Sequence, residues 1–196
     1  MNRKLLVAVV AVAAVLALVI GVALGRNLIS SEAAPVQPPS DVVLFRDVPS
    51  GTSILLPASW KVLPAPEGDS EVLLRAALND SASLQIRSTP VNLGTEVTSA
   101  GIPVVRKRIT DPLIAASDRA QLLRSPQSVE LGGLPGVRYR YTYGSPENGG
   151  AHDHYFLFKD DMMIQIVFQA VPRQRLRELI PVFERIASTF DGDYDG

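Results

Sequence analysis

The hydrophobic pattern of the chain begins with a segment unlike the rest. Residues 5–24 are an uninterrupted apolar run of twenty residues, without a charged or polar side chain. A helix of this length spans about 30 Å, the thickness of the hydrocarbon core of a bilayer. A core helix of a soluble domain would show some polar face. The run therefore predicts a transmembrane helix.

The length of the run favours a retained signal anchor at residues 5–25. Cleavable signal peptides carry apolar regions of about 7–15 residues, followed closely by a small-residue cleavage site. The best such site, residues 31–33, lies well beyond the run, and cleavage there remains the alternative. Two basic side chains precede the run and only Arg26 follows it, which predicts a cytoplasmic segment at residues 1–4 and an extracytoplasmic domain.

Short alternating runs follow a Pro-rich linker at residues 26–40. Residues 84–87 alternate apolar and polar, as in a half-buried strand. Residues 137–143 place Val and Tyr on one face and Arg and Thr on the other. Further strands are predicted at residues 42–45, 53–56, 61–63, 72–78, 128–131, 154–159 and 162–169.

Helical spacing is clearest at the end of the domain. Apolar residues recur at helical intervals through residues 173–190 and form one stripe, which should pack on the sheet. Residues 95–100 and 112–123 are weaker helix candidates. The pattern predicts an α+β domain over residues 41–190, with an antiparallel β-sheet flanked by helices. Residues 191–196 are an acidic tail that is expected to fray.

Composition and charge exclude several classes of function. The chain of 196 residues has no cysteine, which excludes disulfides, thiolate metal sites and a cysteine nucleophile. The formal net charge is -1, and residues 27–196 carry 16 basic and 20 acidic side chains. Nucleic-acid binding needs a dense basic face, so no nucleic-acid partner is expected.

No catalytic or metal-binding motif emerges from the remaining polar residues. His152 and His154 flank Asp153, and a strand would project both imidazoles to one face. A zinc site needs a third protein ligand, so solvated residues at the start of a strand are the preferred interpretation. There is no G-x-S-x-G elbow and no phosphate-binding loop. We expect no enzyme, no metal site and no cofactor.

The order of elements resembles a known fold family. The resemblance rests on the strand-Pro-x-x-Trp element at residues 54–60, the Gly-rich turn before residues 137–143, the hairpin at 154–169 and the helix at 173–190. This arrangement is similar to the PsbP-like α/β/α sandwich, and within it to LpqN-type actinobacterial extracytoplasmic proteins. Those proteins are usually lipoproteins, whereas this chain lacks the acylated cysteine. The resemblance carries over no catalytic residue.

These observations lead to a functional expectation for the whole chain. We expect a non-catalytic, membrane-anchored binding or docking domain of the bacterial cell envelope, which contacts the bilayer through residues 5–24. The ligand would be a lipid, a glycolipid or another hydrophobic molecule. The alternative is an accessory subunit that docks a membrane transport or secretion complex, and a hydrolase is a distant third. Aromatic side chains suit a cavity for such a ligand, although they would equally fill a core. The candidate lining residues are Trp60, Tyr139, Tyr141, Tyr143, Tyr155, Phe156 and Phe158.

Overall fold

The computed structural model describes residues 41–117 and 119–194. The predicted cytoplasmic segment, membrane anchor and linker lie outside these residues. No helix in the described part combines the length and apolar character needed to cross a membrane.

The described residues form one large antiparallel sheet and a separate hairpin. The strands are β1 Val42–Asp47, β2 Thr52–Pro57, β3 Lys61–Leu63, β4 Val72–Asn79, β5 Ala82–Pro90, β6 Gln121–Leu122, β7 Gln127–Leu131, β8 Leu134–Tyr143, β9 Gly150–Lys159 and β10 Met162–Ala170. Strands β1 and β2 pair only with each other among the described strands, whereas the large sheet has the order β3-β4-β5-β10-β9-β8-β6. Strand β7 pairs with the first half of β8, and β6 pairs with its second half.

One face of the large sheet is covered by a continuous helix near the C-terminus. A 3-10 turn, Arg173–Arg175, leads into helix α3, Leu176–Ala187. Its apolar stripe packs on the sheet, as predicted, because residues at helical spacing share one side of the helix. Phe183 stacks on Phe168 of β10, with ring centroids 4.9 Å apart.

The other face is covered by residues 99–115, which we call the helical cover. It consists of a 3-10 turn (Ser99–Gly101), helix α1 (Ile102–Val105), a π-helical turn (Arg106–Thr110) and helix α2 (Asp111–Ala115). The helix predicted at residues 112–123 begins in the right place but ends at Ala115, and the one predicted at residues 95–100 overlaps only the 3-10 turn. Prolines mark the first turns of α1 and α2, because proline tolerates the first helical turn. Residues 121–122 instead form edge strand β6.

The two layers have separate cores. The layer under α3 is aliphatic and aromatic and includes Ile54, Leu56 and Trp60 from the β2 region. The layer under the cover contains Ile102, Leu113 and Ile114 from the helices, together with tyrosines and phenylalanines from the sheet. The central strands β8, β9 and β10 contribute to both, since successive side chains of a strand point to opposite faces.

The end of the described chain is attached to the domain. Asp191 exchanges two backbone hydrogen bonds with Ser53, each 2.9 Å long, and Tyr194 N–H donates to Gly51. The fraying predicted from the acidic composition is therefore wrong for residues 191–194, because backbone pairing does not depend on side-chain charge.

Candidate functional site

The sheet divides the seven aromatic candidates between its two faces. Those on the cover side belong to one buried cluster and those on the α3 side to the other. Tyr143 is buried at the same end of β8 as Tyr141 and shares its face. Five candidates, Tyr139, Tyr141, Tyr143, Phe156 and Phe158, therefore lie together under the cover, whereas Trp60 and Tyr155 lie under α3.

The aromatic rings under the cover contact one another and two histidines. Tyr139 meets Phe156 edge to face at 5.6 Å, and His154 stacks on Phe156 with ring centroids 3.9 Å apart. The ring centroids of Tyr143 and His152 are 4.4 Å apart. Aromatic pairs in such geometries stabilise a core beyond their buried area. The layer is thus an ordered aromatic stack with imidazoles inserted into it.

Both histidines are buried, which corrects the sequence interpretation of them as solvated. His152 is 8% exposed and His154 is fully buried. They occupy the middle of β9, because this strand begins at Gly150 and not at the predicted residue 154. Burial lowers the pKa of His152 to about 4. Burial, and then the charge of His152, lower the pKa of His154 well below its usual value, so both rings are neutral at pH 7.

One tyrosine hydroxyl joins the two imidazoles. The Tyr141 hydroxyl lies 3.0 Å from His152 Nδ1 and 3.2 Å from His154 Nδ1. A hydroxyl has a single proton to donate, so at most one of the two Nδ1 atoms accepts from it. The other Nδ1 must then carry the proton itself. In a neutral imidazole this leaves Nε2 as a bare acceptor.

The Nε2 atoms of both histidines are the unsatisfied positions of this layer. Neither has a hydrogen-bond partner in the described residues. Gln169 and Gln165 lie close enough to oppose the lowering of the pKa of His152 and His154, respectively, but neither amide completes a hydrogen bond to Nε2. Buried polar atoms are nearly always paired, because an unpaired one costs about 1–3 kcal/mol. Two adjacent exceptions therefore make this layer the candidate site.

A second polar contact ties the cover to the sheet. The Tyr139 hydroxyl lies 2.6 Å from Thr110 Oγ1 and donates to Asp111 Oδ1 at 2.7 Å. Asp111 also forms an ion pair with Arg106, with Nε and Oδ2 3.4 Å apart. Burial raises the pKa of Tyr139, which keeps its hydroxyl protonated as a donor. The π-helical turn is thereby fastened at one end of the aromatic layer.

The α3 face carries a charged cluster that the sequence analysis missed. Asp153, fully buried, accepts from Nε of Arg138 at 2.7 Å and from Nε of Arg140 at 3.2 Å. Glu184 of α3 accepts from the Nη2 atoms of the same two arginines, at 2.9 and 2.7 Å. The alternation of Arg with Tyr in β8 is the signal that could have indicated this cluster, because it places both guanidiniums on one face beside the next strand.

Metal binding has limited support in this geometry. Residues 41–117 and 119–194 contain no group of three His, Asp or Glu side chains arranged to hold a metal ion. Asp153 points to the α3 face, away from the histidines on either side of it, because strand neighbours alternate.

Comparison with known proteins identifies the fold. No protein-family model matches the chain, and no curated sequence does. Cyanobacterial PsbP (CyanoP) from Synechocystis matches with 13% identity and a TM-score of 0.52, covering 82% of this chain and 97% of that one. LpqN of Mycobacterium tuberculosis, a protein involved in cell envelope biogenesis, matches with 10% identity and a TM-score of 0.54, covering 71% and 82%. The fold is PsbP-like.

The same fold occurs outside bacteria. The Ran-binding protein Mog1p of Saccharomyces cerevisiae matches with 8% identity and a TM-score of 0.50, covering 78% of this chain and 96% of that one. Identities at this level show a shared fold alone, since one fold hosts many functions. The predicted antiparallel sheet flanked by helices, and its PsbP-like arrangement, are confirmed.

Proposed function

We propose that the chain is a non-catalytic, membrane-anchored extracytoplasmic binding domain of the bacterial cell envelope. Its ligand is a lipid, a glycolipid or another hydrophobic molecule, held between the helical cover and strands β8–β10. The observation that carries the proposal is the pair of buried, unpaired Nε2 atoms of His152 and His154 inside an aromatic layer.

The chemistry of the layer defines what such a ligand must offer. At least one of the two Nε2 atoms is an acceptor, so the ligand needs a hydroxyl or N–H donor. The rings of Tyr139, Tyr143 and Phe156 surround the histidines and favour an apolar body next to that donor. Ligand sites commonly combine apolar walls with a few polar groups that fix orientation. A glycolipid or a hydroxylated lipid has both parts.

The cover provides the movable wall. It is built from helical pieces of three to five residues with changing hydrogen-bond patterns. Short helices are marginal by themselves, so most of their stability comes from packing on the sheet. Entry of a ligand would require the cover to move away from β8, with the Tyr139–Asp111 hydrogen bond as the contact that must adjust.

Two further facts support a binding role. LpqN, which shares the fold, is involved in cell envelope biogenesis. The polar contacts of the histidines join them to a tyrosine and not to a serine or threonine hydroxyl: both Nδ1 atoms lie within 3.2 Å of the Tyr141 hydroxyl. Nucleophilic catalysis needs a base that is hydrogen-bonded to a nucleophile. The histidine contacts described above do not have this arrangement, which favours a binding role.

Native mass spectrometry of the full chain, extracted from membranes in a mild detergent, tests the proposal. We expect a co-purifying lipid or glycolipid that is lost in the His152→Phe/His154→Phe variant, because phenylalanine keeps the ring and removes the acceptors. Tyr155→Phe is the matched control on the α3 face and should retain the ligand. A ligand-free wild-type mass, or equal occupancy in the histidine variant, would contradict the proposal.

Docking of a membrane-complex partner is the second candidate, and strand β1 favours it. Val42, Val43 and Leu44 are 55%, 54% and 41% exposed, and β1 pairs only with β2 among the described strands. An exposed apolar edge strand is a template for pairing with another chain, which proteins normally cover or charge. A partner strand would add to this edge.

Site-specific photo-crosslinking distinguishes the docking candidate. A photoreactive residue at Val43 should give a discrete adduct with one membrane protein in intact cells. The same residue at exposed Arg177, on the outer side of α3, serves as the control. If no adduct forms at Val43, or if the same adducts form at Val43 and Arg177, docking through β1 is refuted.

A further inference from the structure

The helical cover differs in charge from the rest of the domain. Residues 99–115 contain three basic side chains and one acidic side chain, a net charge of +2. Residues 27–196 carry 16 basic and 20 acidic side chains, which leaves 13 basic and 19 acidic ones outside the cover. The cover is therefore a positively charged segment on an otherwise acidic domain.

Contacts with the sheet determine which side of the cover faces outward. Thr110 Oγ1 lies 2.6 Å from the Tyr139 hydroxyl, and Asp111 Oδ1 accepts from the same hydroxyl at 2.7 Å. Ile102 is buried in the aromatic layer. Asp111 Oδ2 lies 3.4 Å from Nε of Arg106. The only carboxylate of the cover is therefore engaged by a tyrosine of the sheet and by an arginine of the cover itself.

The opposite side of the cover carries exposed apolar and cationic side chains. Val104 is 58% exposed, and Pro103, Lys107 and Arg108 are exposed as well. Val104 precedes Lys107 by three residues and Arg108 by four, so these three side chains are neighbours on the helical surface. Neither cation forms an ion pair with another described residue. The outer side thus presents two unpaired positive charges next to an exposed valine.

We propose that this outer side of the cover contacts an anionic lipid surface. Exposed cations are attracted to anionic headgroups, and an apolar side chain beside them can enter the interface. The acidic remainder of the domain is repelled by the same surface, so the uneven charge distribution turns the cover toward the lipid. The predicted anchor at residues 5–25 keeps the domain close to a bilayer, which raises the effective concentration of the two partners.

This contact would bring the movable wall of the aromatic layer next to the source of a lipid ligand. That consequence rests on the proposed function, because it assumes a ligand between the cover and β8–β10. The contact itself depends only on the outward side chains of the cover, and it can form in a domain that binds no ligand. Its test therefore uses no ligand and can fail or succeed independently of the mass spectrometry described above.

The absence of cysteine from the chain allows a single fluorescent label on the cover. Val104→Cys, labelled with nitrobenzoxadiazole, is reconstituted as the full chain into nanodiscs of phosphatidylcholine alone or of equal parts of phosphatidylcholine and phosphatidylglycerol. We expect stronger emission at shorter wavelength only in the discs with phosphatidylglycerol, and high salt should reverse this change because it screens exposed charges. These discs contain no other protein on the outer side of the domain, so an acidic protein partner cannot cause the response.

Neutralisation of the two cations tests the role of charge. In the labelled background, Lys107→Gln/Arg108→Gln should lower the ratio of lipid-contacting to free domain about thirtyfold, since each cation near an anionic surface contributes about fivefold. Arg177→Gln/Arg185→Gln is the matched control, because it removes the same charge from the exposed side of α3 and should leave the emission change intact. An emission change that persists in Lys107→Gln/Arg108→Gln, or that is lost equally in the control, would contradict the proposal.

A second readout uses the wild type without a label. Acetylation of lysine amines is measured by mass spectrometry in the same two kinds of nanodisc. Lys107 should react more slowly in the discs with phosphatidylglycerol, whereas Lys61, exposed on edge strand β3, should react at the same rate in both. Equal reactivity of Lys107 in both lipid compositions, together with equal emission of the label, would overturn the proposal.

Discussion

The two layers on either side of the sheet differ in how completely their buried polar groups are hydrogen-bonded. Under α3, the buried carboxylate of Asp153 is fully engaged by two arginines, and the surrounding core is apolar. Under the cover, His152 and His154 are buried too, but each keeps an unpaired Nε2. The α3 layer is covered by a helix of 12 residues, whereas the cover changes helix type within 17 residues.

This difference indicates that the α3 layer mainly stabilises the fold, whereas the layer under the cover keeps polar atoms that a ligand could contact. A fully paired polar cluster strengthens one arrangement of a core, whereas a partly paired one leaves free energy to be gained from a ligand. Each layer can therefore be challenged by removing its central polar group, and the responses should differ in size and in their dependence on pH.

The largest effect of a single substitution is expected from Asp153→Asn. The substitution leaves Arg138 and Arg140 with only the partly exposed Glu184 as an ionic partner, and breaking a buried ion pair costs about 3–5 kcal/mol. Urea denaturation of the full chain, followed by Trp60 fluorescence, measures the free energy of unfolding. Glu130→Gln, at an exposed residue of β7, should change it by less than about 0.5 kcal/mol. A loss below about 1 kcal/mol for Asp153→Asn would mean that the cluster is not needed for stability.

The histidine layer should respond to pH. An unfolded histidine has a pKa of about 6.5, whereas the pKa of His152 is about 4 in the folded protein. Between these values only the unfolded state takes up the proton, so stability is present above pH 6.5 and is lost as the pH falls. Each buried histidine should contribute about 1.4 kcal/mol per pH unit.

Urea denaturation between pH 7 and pH 4.5 measures that slope. The chain has two histidines, so His152→Gln should remove about half of the histidine contribution and the double substitution nearly all of it. A slope that is unchanged in the double variant would assign the acid sensitivity to carboxylates and refute neutral burial of the imidazoles.

A smaller effect is expected from the hydroxyl that joins the histidines. Tyr141→Phe leaves both Nδ1 atoms without their partner, which should cost about 1–3 kcal/mol. Tyr155→Phe is the matched change on the α3 face, where the hydroxyl makes no hydrogen bond with a described residue, and it should cost less than about 0.5 kcal/mol. Equal losses in the two variants would show that the Tyr141 bridge adds nothing to stability.

Alternation and helical spacing were sufficient to predict the main elements of both layers. The repeat of apolar side chains along the chain is a local property. It predicts the strands around residues 137–143 and 162–169 and the apolar stripe of α3. Most of the cover, residues 101–110, was missed because its short pieces never complete an apolar period and depend on contacts with β8 and β10. The burial of His152 was missed for a related reason, since two further residues of β9 precede it and only their pairing with the neighbouring strands β8 and β10 reveals them.

The smallest difference between the layers should appear in local opening, measured by hydrogen exchange of backbone amides in the full chain. Amides of α1 and α2 depend on turns of four and five residues, whereas α3 is a helix of 12 residues with six buried side chains, and Pro181 removes only one N–H donor from its ladder. We expect the cover to exchange at least about tenfold faster, equivalent to an opening free energy lower by about 1.4 kcal/mol. Tyr139→Phe should widen the gap, because it removes the hydrogen bonds from the sheet to Thr110 and Asp111. Equal protection of cover and α3 would indicate a closed layer, and access to the Nε2 atoms would then require opening of the whole domain.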